Sequence, residues 1–145
     1  MRLSKETEKR VLDRAEFLEE AVEVLREKQQ IQKSEYVDNR SERAIVEREF
    51  HTAIEACIDI AGMIIAETNE EMPDRYAGRF DRLKALGVCS PETADRMREA
   101  AGFRNVLAHR YGSDIDHDKV YDHLQHEVDI LVDFLDEVRQ FLMSG

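Results

Sequence analysis

The sequence predicts an all-α protein, an antiparallel helical bundle of four long helices and one short one, and three observations carry that expectation. Apolar residues recur at alternating steps of three and four through long segments, which puts them on one face of a helix. No stretch alternates apolar and polar residues with the period of two that a half-buried strand needs. Only two prolines and six glycines interrupt 145 residues, so breaks are few and loops short. That length suits a single domain, residues 1–145, able to bury a real core.

The first helix is expected from Ser4 to about Lys28, where Val11, Ala15, Leu18, Val22 and Leu25 make one apolar seam. Phe17 and Val24 fall off that seam. Gln29 to Asn39 breaks the pattern and reads as a connector, in which Tyr36 is expected to pack rather than to line a pocket. Ser41 is the expected N-cap of a second helix running to about Glu67. Phe50, Ile54, Cys57, Ala61 and Ile65 form its stripe, and Ala56 to Ala66 is apolar nearly all round, as in a helix at a bundle centre or a subunit interface. Asp59 is the one charge in that run. A buried carboxylate is costly without a partner, so it should meet an Arg, a hydroxyl or backbone donors, in a structural rather than a catalytic role.

Asn69 to Asp74 is a loop, and a short helix from about Arg75 to Leu86 should turn Tyr76, Phe80 and Leu83 inward. Gly87 stops it. Ser90 caps the next helix with Pro91 in its first turn, and this helix is expected to end at Tyr111-Gly112. The last helix starts between Asp114 and Asp118 and carries Tyr121, Leu124, Val128, Leu131, Leu135, Val138 and Leu142 in alternating steps, with an acidic outer face.

Charge and composition narrow the function. No apolar run approaches the length of a membrane span, and the charged start, Met1-Arg2-Leu3-Ser4-Lys5-Glu6, is not expected to be a signal peptide. Two cysteines, Cys57 and Cys89, suggest reduced thiols and a cytoplasmic protein. A net charge of −11 argues against a general nucleic-acid binder. The balance is uneven, however: from Arg75 to Arg110 eight basic residues face four acids, so this stretch is +4 and the rest of the chain −15. A phosphate-bearing substrate is permitted there.

Within that stretch lies Phe103-Arg104-Asn105-Val106-Leu107-Ala108-His109-Arg110-Tyr111. On a helix Asn105 and His109 share a face, and Arg104, about 100° round the cylinder, has a stem long enough to reach toward the imidazole. A fixed cation, an amide and an imidazole form a set that can hold a phosphate and move a proton beside it. On spacing alone, a structural Arg near a capping His at a helix C-terminus would serve as well.

The string Arg104-Asn105-Val106-Leu107-Ala108-His109-Arg110-Tyr111 resembles the signature of the HEPN superfamily, and its Tyr two residues after the His is similar to the HepT-like toxins encoded beside a minimal nucleotidyltransferase antitoxin. Ala53-Ile54-Glu55-Ala56-Cys57-Ile58-Asp59-Ile60-Ala61 resembles that group's second helix, and the likeness runs from about Leu12 to about Leu142. The resemblance implies the toxin of a type VII-like pair, a metal-independent endoribonuclease acting on RNA. His109 would move the proton of a ribose 2′-OH or of the leaving oxygen, Arg104 would stabilise the transition-state charge, and Asn105 would orient the His or bind the phosphate. It implies a homodimer that brings two motifs together. It also implies that the partner nucleotidyltransferase silences the toxin by AMPylation of Tyr111, adding bulk and negative charge beside the site. The alternative is a non-catalytic helical binding subunit that holds substrate for that transferase. No cofactor and no metal are expected: His117, His123 and His126 read as a solvated acidic face, and His51 as a partly exposed side chain.

Overall fold

The computed structural model of the protein describes residues 2–110 and 114–144, and in it every regular element is helical. Seven helices follow one another: α1 (Lys5–Lys28), α2 (Lys33–Asp38), α3 (Arg40–Ala66), α4 (Tyr76–Ala85), α5 (Pro91–His109), α6 (His117–His126) and α7 (Val128–Ser144). Helix α3 is the hub. It packs against each of the others, and Phe50, Ile54, Cys57, Ile60, Ala61, Ile64 and Ile65 on it are buried. Helix α1 lays its predicted seam, Val11, Ala15, Leu18, Val22 and Leu25, onto that hub. Phe80 of α4 meets Phe134 of α7 edge to face at 5.6 Å, which ties the two flanks of the core together.

Local chemistry sets most boundaries. Ser4 accepts from the Thr7 N–H and Ser90 from the Thr93 N–H, each satisfying a donor that a helix start leaves orphaned. The Ser90 cap is itself held by Glu137 of α7, which accepts from the Ser90 N–H at 2.6 Å and from the Thr93 hydroxyl. Gly87 takes a φ of +77°, the left-handed turn that ends α4 and that only glycine adopts without strain.

Four boundaries differ from the sequence expectation. The connector holds the short helix α2, because Tyr36 buries completely and packs its ring 5.5 Å from Tyr121, while Arg43 donates to the Val37 carbonyl at the helix end. Helix α3 is capped by Asn39, which accepts from the Glu42 N–H, and not by Ser41. The single last helix is two: the chain breaks at Glu127 between α6 and α7. No glycine or proline causes this. The Gln29 amide instead donates to the Leu124 carbonyl at 2.8 Å, the group an unbroken helix would offer to Val128, and Gln125 returns a bond to the Gln29 carbonyl at 2.9 Å. Helix α5 ends at His109, with Arg110 in extended backbone at φ −115° and ψ 150°, and Tyr111 and Gly112 lie outside the described residues.

Asp59 finds the arginine partner expected of it but is not buried. Its side chain is 44% exposed and pairs loosely with Arg14 on α1, so the run around it is apolar on three sides and wet on the fourth. Cys57 and Cys89 are both free thiols and both buried, and burial pushes each thiol well above its ordinary value, Cys89 up to about 12. Among the described residues no helix is long and apolar enough to cross a membrane.

Candidate active site

The two helices of the +4 stretch, α4 and α5, pack side by side. The motif rides on the last turns of α5, where Phe103 and Leu107 are only partly buried against the core. Ala101 is its last fully buried residue, and Phe103 anchors the next turn with its ring 5.5 Å from Phe50.

Arg104 sits just beyond that anchor and is gripped on three sides. Its Nη2 donates to Glu55 Oε1 of α3 at 2.5 Å, its Nη1 to Asn105 Oδ1 at 3.3 Å, and its guanidinium lies 5.4 Å over the ring of Tyr76. These contacts leave the side chain 14% exposed, while Glu55 remains 44% exposed. The structure therefore brings Arg104 and Asn105 together. No hydrogen bond joins the guanidinium to His109 among the described residues; the carboxylate of Glu55 pairs with the cation. His109 is exposed one turn beyond Asn105, at the end of the helix. Asn105 is exposed and lines a cleft between α4 and α5. Tyr111 lies outside the described residues, so its hydroxyl is not placed.

Two partners of the motif, and an arginine that shares one of them, were not singled out as site residues from the sequence. Glu55 is the first. Its neighbour His51, four residues earlier on α3, has Nε2 3.8 Å from Glu55 Oε1. That i, i+4 spacing is a helical contact the sequence carries. Tyr76 is the second: expected to face inward, it is 41% exposed, with the guanidiniums of Arg79 and Arg104 at 5.0 and 5.4 Å from its ring centroid. Arg79 is the third, donating to the Ile58 carbonyl at 3.0 Å. It reaches α3 because position 62 is glycine; a Cβ there would stand 2.5 Å from Arg79 Nη1.

The other histidines do not gather. His117 Nδ1 lies 3.9 Å from Glu47 Oε2. His123, expected on a solvated face, is half-buried with its ring stacked 4.1 Å from Phe103. Among the described residues no group of three or more His, Cys, Asp or Glu is placed to hold a metal ion.

Burial lowers the His123 pKa from its ordinary 6.5, against the opposing pull of Glu127, Asp122 and Glu99, with Lys119 reinforcing the fall. The unfolded chain then binds this proton more readily than the native one, so the contribution is full above the unfolded value and is lost progressively as pH falls from there through the lowered folded value. A His123→Phe variant, which keeps a ring against Phe103, is expected to hold its thermal stability between pH 7 and 5 better than the wild type. Equal losses in parallel melting curves would refute this role.

A candidate RNase of Archaeoglobus fulgidus is 30% identical over 91 residues, which cover 63% of this chain and 67% of that protein. Among solved structures, a toxin–antitoxin complex with AMP-PNP superposes with a TM-score of 0.82 at 18% identity, covering 90% of this chain and 97% of the other. A tri-AMPylated Shewanella oneidensis HEPN toxin in complex with MNT antitoxin gives 0.80 at 19% identity, covering 90% and 96%. A cytosolic protein of unknown function, YutE from Bacillus subtilis, gives 0.81 at 18%, covering 94% and 91%. At these identities the solved structures establish the shared fold. The ribonuclease HepT-like family model matches residues 18–138, from the middle of α1 to the last buried residue of α7, and this chain belongs to that family.

Proposed function

We propose that this chain is the toxin of a toxin–antitoxin pair, an endoribonuclease that needs no metal and is silenced by a partner nucleotidyltransferase. Family membership supports RNA as the substrate. The observation that carries the catalytic assignment is the position of the motif: Arg104 and Asn105 in contact, and His109 exposed on the following turn of one helix end. In the reaction His109 takes the proton from a ribose 2′-OH as that oxygen attacks phosphorus. The bond from phosphorus to the 5′ oxygen breaks, and the leaving oxygen gains a proton. The products are a 2′,3′-cyclic phosphate and a 5′-hydroxyl end. Arg104 supports the negative charge gathered on the phosphate oxygens in between, and Asn105 holds the phosphate or the imidazole.

In the free protein Glu55 occupies the guanidinium. Because that carboxylate is 44% exposed, it can turn into water when a phosphate arrives in its place. One motif offers a single imidazole, and a homodimer placing two motifs across one cleft would supply a second for the leaving oxygen. The Glu55 contact is also what favours the rival reading, a non-catalytic subunit that holds substrate for the transferase.

Regulation rests on Tyr111, by analogy with the AMPylated structural relative. Expression of the chain alone is expected to arrest growth, and co-expression with a minimal nucleotidyltransferase to relieve it and add AMP mass. A Tyr111→Phe protein should gain no such mass; equal gain would refute the assignment. Absence of toxicity, together with purified protein that leaves RNA intact, would favour the binding-subunit reading.

A further inference from the structure

A second cleft feature adjoins the motif without belonging to its chemistry. The cleft between the start of α4 and the middle of α5 has a volume of about 460 Å³ and is walled by Arg75, Tyr76, Arg98, Ala101, Gly102 and Asn105. Sites for ligands of nucleotide size run roughly from 300 to 1,000 Å³. Because Asn105 is part of both, the cleft opens directly onto the motif.

Its walls carry cations that are available. Arg75 is exposed. Arg98 is half exposed and holds Asp81 at 3.5 Å and Asp95 at 3.8 Å, both well exposed themselves. Such surface pairs contribute little and exchange readily for a better partner. Asp74 is the one acid of the lining.

Gly102 is the independent clue. A glycine within a helix costs about 1 kcal/mol relative to alanine, and the usual reason to keep one is close approach of a neighbour. Here a Cβ would meet nothing within 4 Å. No packing contact explains the bare position, but an open cleft floor does, since every added atom would project into it.

We infer that this cleft binds the nucleotide next to the one being cut. Its phosphodiester lies on Arg75 and Arg98, and its sugar and base lie against the exposed part of the Tyr76 ring and the bare floor at Ala101 and Gly102. The inference rests on the ribonuclease reading and adds to it a subsite beyond the scissile phosphate. A substrate with only the scissile phosphate would leave these cations unused, so a longer single strand should be cut more efficiently.

The test compares cleavage of an RNA dinucleotide with that of an oligonucleotide extended on both sides, read as kcat/KM. Hydrogen bonds to charged groups translate to roughly 10–100-fold, and the wild type should prefer the longer strand by that order. An Arg75→Ala/Arg98→Ala double variant should lose most of this preference. Gly102→Leu should lose it too while melting at a higher temperature than the wild type, because a helix former replaces glycine. Stability and preference moving in opposite directions is an outcome that a folding defect would not produce. Variants that keep the full preference would overturn the subsite and leave the ribonuclease reading standing. Equal losses on both substrates would also overturn it, since the residues would then act on the chemistry or the fold. A wild type that cuts neither RNA would bring down the ribonuclease reading and the subsite with it.

Discussion

His109→Ala is expected to slow RNA cleavage by about 10²–10⁴-fold, the usual contribution of a positioned general acid or base. The fold should tolerate the change. His109 is exposed at the end of α5 and makes no hydrogen bond or ion pair to another described residue. Surface substitutions of this kind usually stay within about 0.5 kcal/mol. Single-turnover cleavage and a melting curve on the same preparation would separate the two effects. A variant that cuts at the wild-type rate would remove His109 from the mechanism. One that neither cuts nor folds would make its role structural.

Arg104→Ala carries the second large effect, about 10²–10³-fold in rate, as expected when a donor aimed at developing negative charge is removed. Its structural consequences are greater than those of His109. The guanidinium links α5 to α3 through Glu55 and lies over Tyr76. Because Glu55 is nearly half exposed and can hydrate once unpaired, the stability loss should stay near 1 kcal/mol. Arg104→Lys distinguishes charge from geometry. A lysine keeps the cation but not the planar fork that serves Glu55 and Asn105 together, so it should recover most of the stability and little of the rate. Glu55→Gln should act in the opposite sense, tightening RNA binding by withdrawing the carboxylate that competes with phosphate for Arg104. Weaker binding in Glu55→Gln, or full activity in Arg104→Lys, would contradict this assignment of the pair.

What the sequence made legible follows the range of the interactions. The seam of α1, the apolar girth of α3 and the Ser90 cap are local patterns, and these helices lie where those patterns put them, apart from the Asn39 cap of α3. Helix α2 was hidden because six residues are too few to show a period. It exists through the burial of Tyr36 and through the bond from Arg43. The break at Glu127 was hidden for a related reason. The apolar spacing continues through it, and the interruption comes from Gln29, far away in the chain, taking the Leu124 carbonyl.

The candidate site divides in the same way. Arg104, Asn105 and His109 are neighbours on one helix, so their spacing was readable without tertiary structure. Glu55 reaches Arg104 across 49 residues of chain, and no local pattern announces that contact. The His51–Glu55 spacing hinted only that the two face the same way. Tyr76 looked like core because it opens the apolar row of α4. It is instead the aromatic surface on which two guanidiniums rest, one from its own helix and one from α5. His123 looked solvated because its sequence neighbours are acidic, yet the Phe103 ring from α5 covers it.

The most direct test of the central assignment is the chemistry of the RNA ends left by the purified protein in excess chelator. Attack by the 2′-OH, with Arg104 and His109 in the roles given, leaves 2′,3′-cyclic phosphate and 5′-hydroxyl ends, detectable by mass spectrometry. Those ends should form at an undiminished rate in the chelator and vanish in His109→Ala. Ends bearing 3′-hydroxyl and 5′-phosphate, or cleavage that stops when divalent cations are removed, would mean that an activated water performs the cut, and would contradict the account.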